Sequence, residues 1–253
     1  MSAPFVEVDG ITVRFGGLMA VNNLSFQVER GTIHALIGPN GAGKSTTFNC
    51  ISRYYQPTAG RVRIDGLDVT HFRPSRMAGL GVARTFQNLE LFGELSVREN
   101  VLLGCHAHSA NTLGGLLRRP DGATRDLVDN LIERVGLTHD RETRANELDF
   151  GHQKLLEIAR ALALKPRLLL LDEPAAGLRN TDIENLDRLL TELAQRDGIT
   201  VLLVEHVMQL VMSISNRITV MSFGEKLAEG TPKEIGENPK VIEAYLGKGA
   251  AHV

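Results

Sequence analysis

At 253 residues, with 43% apolar and 23% charged side chains, the chain has the composition of a soluble globular protein and enough length for a substantial core. A formal net charge of −2 leaves no polyelectrolyte footprint, which argues against nucleic acid as the main partner. The two cysteines, Cys50 and Cys105, fit no metal or redox spacing and suit a reducing compartment, and no signal peptide or spanning apolar run is recognised.

In chain order, FVEVDGITVRF and NLSFQVERG alternate as antiparallel strands would, with the turn FGGL between them. TIHALIG reads as a buried strand feeding a glycine-rich loop and then a helix, KSTTFNCISRYY. GRVRIDG is a short strand closed by Asp65-Gly66. From about residue 88 to 150 the texture becomes helix and loop. SVRENVLLGCH opens on a capping box of Ser96 and Glu99, HSANTLGGLLRRPDG is a loop, and RDLVDNLIERVGL is an amphipathic helix stopped by Gly136. LDFGHQ leads into a helix, with Leu155, Ile158, Ala159 and Leu162 on one face. RLLLLDEP and ITVLLVEH are uninterrupted apolar strands, as a parallel sheet covered on both faces requires. Between them a helix is expected over residues 181–195, opened by a second capping box, Thr181 and Glu184. RITVMSF, EKLAEG and two short helices complete the chain. The expected fold is α/β: a P-loop NTPase core with a mostly parallel sheet and flanking helices, an antiparallel β part and an α-helical insertion.

GPNGAGKS, residues 38–45, matches G-x-x-x-x-G-K-[ST] between a strand and a helix. The glycines allow consecutive N–H groups to face one anion, and the helix N-terminus adds favourable potential. Lys44 bridges outer phosphates and the Ser45 hydroxyl binds Mg²⁺ in such a loop. LLLLDEP places Asp172 and Glu173 at the carboxyl end of a buried strand, where doubly wound folds bind ligands. Asp172 is the candidate Mg²⁺ residue, and Glu173 the base that polarises an attacking water. His106 and His108 form an H-x-H without an accompanying cluster and read as surface residues.

ARTFQN, LDFGHQ, LLLLDEPAAGL and LLVEH, in this order after GPNGAGKS, resemble the ATP-binding subunit of an ABC transporter over essentially the whole chain. RFGGLMAVNNLSF, GPNGAGKSTTFN, GVARTFQN, LEIARAL, LDEPAAGL and the tail NPKVIEAYLG resemble the importer subgroup for branched-chain amino acids and related small solutes. The resemblance implies one ABC ATPase domain over residues 1–253. Residues 1–87 and 165–253 form a RecA-like core with the N-terminal antiparallel part, and residues 88–164 a helical subdomain carrying the signature. It also implies a two-ATP sandwich in which each nucleotide lies between one copy's P-loop and the other's signature helix.

Nucleotide contacts then fall to Phe15, Val21, Asn40, Gly41, Ala42, Gly43, Lys44, Ser45 and Thr46, and in trans to Asp149, Gly151 and His152. Phe15 matches the aromatic that stacks on adenine, with a core-strand phenylalanine as the alternative. Gln87 matches the glutamine that contacts Mg²⁺ or the water, and His206 the histidine that reaches the γ-phosphate and orients Glu173. Of the eight histidines, only His206 follows a strand that would deliver it to this site. Implied partners are a second ATP-binding subunit, membrane permease subunits docked through residues 88–150 and, indirectly, an external solute-binding protein. The implied location is cytoplasmic, peripheral on the inner face of the membrane.

Two departures from the family pattern stand out. Asp149 occupies the place of the signature serine, and a carboxylate ~4 Å from a phosphate charge costs about 4 kcal/mol at an effective dielectric near 20. Either Asp149 faces phosphate at that cost, offset by a protonated His152, or it caps its own helix. Arg179 replaces an Asp or Asn in the loop AAGLRNTD, either compensating Asp149 or facing solvent. These departures leave a second function open, a regulatory nucleotide-binding partner in an asymmetric heterodimer, though the intact Glu173 argues against an inert subunit. A soluble relative acting on DNA or ribosomes is disfavoured by the single core, the short insertion and the charge. A GTPase is disfavoured by the lack of N-K-x-D.

Overall fold

The computed structural model describes residues 3–86, 89–106 and 121–246. The elements are β1 (Val6–Phe15), β2 (Leu18–Val28), β3 (Ile33–Ile37), α1 (Lys44–Ile51), β4 (Ala59–Ile64), β5 (Leu67–Asp68), β6 (Val82–Arg84), α2 (Val97–His106), α3 (Gly122–Arg134) and α4 (Phe150–Leu162). They continue as β7 (Leu168–Asp172), α5 (Asn180–Gln195), β8 (Thr200–Val204), α6 (Met208–Ile214), β9 (Arg217–Ser222), β10 (Glu225–Gly230), α7 (Pro232–Gly236) and α8 (Pro239–Leu246).

Two sheets form. The antiparallel one runs β2-β1-β4-β5, and the larger one β10-β9-β3-β8-β7-β6, parallel except for β10. The apolar runs of β3, β7 and β8 are buried along their whole length because both faces are covered. Ala35, Leu169, Leu171, Val201 and Leu203 face a core shared with the helices α2 to α5. Leu36, Leu168, Leu170, Leu202 and Val204 face a second core, closed by the antiparallel sheet and α1. Parallel register then aligns the strand ends: Leu36 and Asp172 both pair with Val204, and Arg84 pairs with Leu170. The P-loop after β3, the carboxylates after β7 and the turn after β8 therefore open on the same edge of the sheet.

Local rules account for most boundaries. Asp65 and Gly66 both take positive φ, 52° and 77°, which suits the two-residue turn joining β4 to β5. Ser96 and Glu99 make the reciprocal capping box at the start of α2, at 3.2 and 2.8 Å. Gly136 ends α3 at φ 78°, its N–H bonding to Glu133 and the Leu137 N–H to Ile132, a Schellman closure.

Several expectations are corrected. The box of Thr181 and Glu184 does not form, because α5 starts at Asn180 behind Arg179, which makes no side-chain cap, so Thr181 is already inside the first turn. Helix α1 stops at Ile51 rather than running on through Tyr55, because Arg53 turns to φ 68°. Strand β2 begins at Leu18, leaving a shorter turn than FGGL suggested. The three-residue edge strand β6 and the helix α6 were not foreseen. Of the loop expected in HSANTLGGLLRRPDG, residues 108–120, His108 among them, lie outside the described residues, as does the side chain of His106. Its last two residues already open α3, with Asp121 as N-cap accepting from the Thr124 N–H and Gly122 as the first helical residue.

Within β3 the second core holds an ionisable group, His34, 1% exposed, whose Nε2 lies 2.9 Å from Thr219 Oγ1 and whose ring tilts over Phe26. Burial pushes its pKa down to about 4. The native state thus favours the neutral ring, and that contribution is complete above the unfolded value of 6.5 and lost as pH falls toward 4. Stability should drop by roughly 3 kcal/mol through this window on account of His34. Denaturant melts at pH 7.5 and 4.5 check this, and His34→Gln should flatten that part of the profile.

Candidate nucleotide site

The P-loop is fixed from below. Gly38, Gly41 and Gly43 take φ of 153°, 79° and 98°. A Cβ at Gly38 would sit 2.2 Å from the Met221 carbonyl oxygen, and one at Gly43 2.5 Å from that of Ala20. No larger residue fits at either place, so the loop is pressed onto β9 and β2. The Lys44 amine folds back over it, donating to the carbonyls of Gly38 and Pro39 at 2.7 and 3.0 Å. Burial draws the Lys44 pKa down, opposed by the nearby charges of Glu173 and Asp172. Ser45, at the first turn of α1, is exposed.

In front of the loop lies an open groove of about 400 Å³. It is lined by Phe15, Leu18, Met19, Ala20, residues 40–46, Glu173 and His206. Phe15 is 46% exposed at its rim, edge-on to Tyr55, which removes the core-strand reading. Val21 is corrected: it is fully buried behind Gly43 and does not line the groove. A register shift against β1 at Ala20, between the pairs Val13–Val21 and Arg14–Met19, breaks the strand's alternation, so that Val21 stays in the core while Leu18, Met19 and Ala20 line the groove.

Glu173 and His206 meet across the far wall. Glu173 takes a left-handed φ of 52°, which turns its side chain off the strand line, and its Oε1 lies 3.0 Å from His206 Nε2. Asp172, one residue earlier, is 2% exposed behind the groove. Burial raises its pKa, and the Arg84 guanidinium, 3.1 Å from Oδ2, pulls it back. Its Oδ1 is buried without a hydrogen-bond partner.

A carboxylate that sequence reasoning passed over anchors this wall. Glu205 is 1% exposed and accepts from the N–H groups of Ala175, His206 and Val207, at 2.7, 2.6 and 2.9 Å. It ties the turn after β7 to the turn after β8. Its only sequence signal was a carboxylate at a strand end beside His206, the same signal that marked Asp172.

The signature end does not join this groove. Asp149 is the N-cap of α4, accepting from the His152 N–H at 2.9 Å. That hydrogen bond, with help from the His152 ring and Arg179, holds its carboxyl below the usual range. Arg179 lies 3.7 Å from Asp149, so the two departures are neighbours, but both are exposed and such a pair contributes under about 1 kcal/mol. Gly151 is buried under this chain's own Leu178, and Phe150 packs on Gly177, where a Cβ would lie 2.5 Å from its ring. Asp149→Ala should cost about 1 kcal/mol in urea melts at neutral pH, while Asp149→Ser, which caps without charge, should stay within about 0.5 kcal/mol of the parent.

Helix α4 also grips the chain on either side of Gln87. Buried Glu157 accepts the Phe86 N–H at 2.9 Å, Lys154 donates to the Phe86 carbonyl at 3.3 Å, and Arg160 to that of Glu90 at 2.5 Å. Gln87 itself lies outside the described residues.

The sequence pattern of the ABC transporter family matches residues 21–176, more than half of the chain. The chain belongs to the ABC transporter family. A second pattern, described as branched-chain amino acid ATP-binding cassette transporter, matches residues 225–251 of this ABC protein. It is 46% identical to a high-affinity branched-chain amino acid transport ATP-binding protein of Pseudomonas aeruginosa, over 98% of this chain and 100% of that protein. A nucleotide-free ATP-binding cassette from an ABC transporter superposes with a TM-score of 0.85, at 31% identity, covering 97% and 100% of the two chains. A dimeric cassette in a post-hydrolysis state, bound to ADP and Pi, superposes with a TM-score of 0.79, at 26% identity over 90% of this chain and 98% of that one. The family pattern spans the P-loop, Asp172 and Glu173. Among the described residues, no helix is long and apolar enough to cross a membrane.

Proposed function

We propose that this ABC ATPase powers an importer for branched-chain amino acids or closely related solutes. The solute class is supported by the relative from Pseudomonas aeruginosa and by the tail pattern over residues 225–251. The observation that carries the catalytic part is the convergence of Glu173 and His206, 3.0 Å apart, on the groove that begins at the P-loop.

In this reading the P-loop amides and Lys44 hold the phosphates and Phe15 stacks on adenine. Glu173 accepts a proton from the attacking water, and His206 orients Glu173 and contacts the γ-phosphate. Ser45, Asp172 and Gln87 would hold Mg²⁺, which would supply positive charge to the phosphates. The unpartnered Asp172 Oδ1 and the exposed Ser45 hydroxyl fit that assignment.

Asp149, Gly151 and His152 meet the nucleotide of a second ATP-binding subunit. As an N-cap, Asp149 spends its Oδ1 on its own helix, which lessens the repulsion a phosphate-facing carboxylate would create. His152, with Nδ1 3.7 Å from Asp149, supplies an offsetting charge when protonated. Residues 88–150, within the helical subdomain 88–164, dock the permease subunits, which hold the protein to the inner face of the membrane and receive solute from an external binding protein.

The test is uptake in the cells that make this protein. Replacing the chromosomal copy with Glu173→Gln should abolish high-affinity entry of labelled leucine, isoleucine and valine, and leave lysine entry unchanged. Retained branched-chain uptake would reject the solute assignment.

A further inference from the structure

Arg84, the last residue of the edge strand β6, has a side chain only 9% exposed and gathers three parts of the site. One terminal nitrogen lies 3.1 Å from Asp172 Oδ2. The other donates to Asn49 Oδ1 at 2.7 Å and Ser52 Oγ at 2.6 Å, on and just past the helix α1 that begins at the P-loop. Its Nε donates to the Thr85 carbonyl at 3.3 Å, and the guanidinium lies 5.1 Å from the Phe86 ring centroid. A buried arginine with this many partners has one preferred placement, which a lysine ammonium cannot reproduce.

Asp172 carries two oxygens with different surroundings. Oδ2 is engaged by Arg84, while Oδ1 is buried and unpartnered. The same guanidinium fixes the far end of α1, whose first turn presents Ser45.

We infer that Arg84 is a positioning residue for the metal: it holds Asp172 by Oδ2, leaves the unpartnered Oδ1 for the cation, and sets the distance between Asp172 and Ser45 by bridging β7 to α1. It touches neither nucleotide nor metal. This rests on the reading of Ser45 and Asp172 as metal residues. The inference adds that the outer partner of the carboxylate comes from β6, immediately before the segment gripped by α4.

The experiment is calorimetric titration of ATP into the purified protein, in excess EDTA and in saturating Mg²⁺, with Mn²⁺ binding to the ATP complex followed by electron paramagnetic resonance. Arg84→Lys should leave EDTA affinity within about twofold of the parent and weaken Mn²⁺ binding ~10–100-fold, the range for outer partners of metal ligands. Asn49→Ala removes one anchor of Arg84, and should shift Mn²⁺ binding the same way by a smaller factor. It decides the matter if Arg84→Lys does not fold. Equal losses with and without metal, or unchanged metal affinity, would overturn the inference. Asp172→Asn is the control: if it too leaves Mn²⁺ binding intact, the metal assignment fails, and if it alone weakens binding, only the role of Arg84 fails.

Discussion

Glu173→Gln is expected to lower steady-state ATP hydrolysis ~10²–10⁴-fold while ATP still binds, the effect of removing a positioned general base. The substitution is nearly isosteric. A glutamine oxygen can still accept from His206 Nε2 across the 3.0 Å contact, so the wall of the groove should stand. What disappears is the basic oxygen that takes the water's proton, and with it one negative charge facing the phosphates. Phosphate release measured beside nucleotide binding separates the two effects. Loss of both together would show that Glu173 holds the groove rather than reacting in it. Its φ of 52° supports a reactive role, since a non-glycine residue in that region costs of order 1–3 kcal/mol and such strain collects at functional sites.

Lys44→Ala is expected to weaken ATP binding ~100-fold, the consequence of losing charge-assisted hydrogen bonds worth about 1.5–3 kcal/mol to a buried anion. The amine bonds to the Gly38 and Pro39 carbonyls, a placement that stores it beside the loop from which it reaches the phosphates. Its removal should lower thermal stability only modestly, because the loop is also fixed by the close approaches of Gly38 to Met221 and Gly43 to Ala20. Fluorescent-nucleotide titration with a parallel melt checks both halves. Unchanged affinity would move the phosphate site away from this loop.

The parts of the fold and site that were legible in the sequence share one property: a local pattern with a local cause. The P-loop spacing, the turn at Asp65-Gly66, the stop at Gly136 and the apolar runs of β7 and β8 each follow from a few adjacent residues. The box expected at Thr181 failed because the chain enters α5 from a loop packed against α4, and that packing places Asn180 already in the helix. Val21 was misplaced because side-chain direction in β2 depends on its register with β1, where Val21 pairs with Val13 in the buried set. β6 is three residues long and exists only through its pairing with β7, so its sequence carries no period to read. Arg84 and Glu205 went unrecognised for a related reason. Their partners lie across strands, and only the aligned strand ends bring Arg84 to Asp172 and Glu205 to Ala175. Asp149 shows the opposite case, where a helix-start rule and the geometry agree: the carboxylate in the signature is a cap.

The central claim is that this ATPase works as one half of a pair, its signature end completing the nucleotide site of a second subunit. The measurement that tests it most directly is the molar mass of the Glu173→Gln variant by light scattering, with and without MgATP. With hydrolysis blocked, MgATP should convert monomer to dimer, and Lys44→Ala in the same chain should abolish the shift. A variant that binds MgATP to saturation and remains monomeric would contradict the claim that the α4 end capped by Asp149 closes on the nucleotide of a second copy.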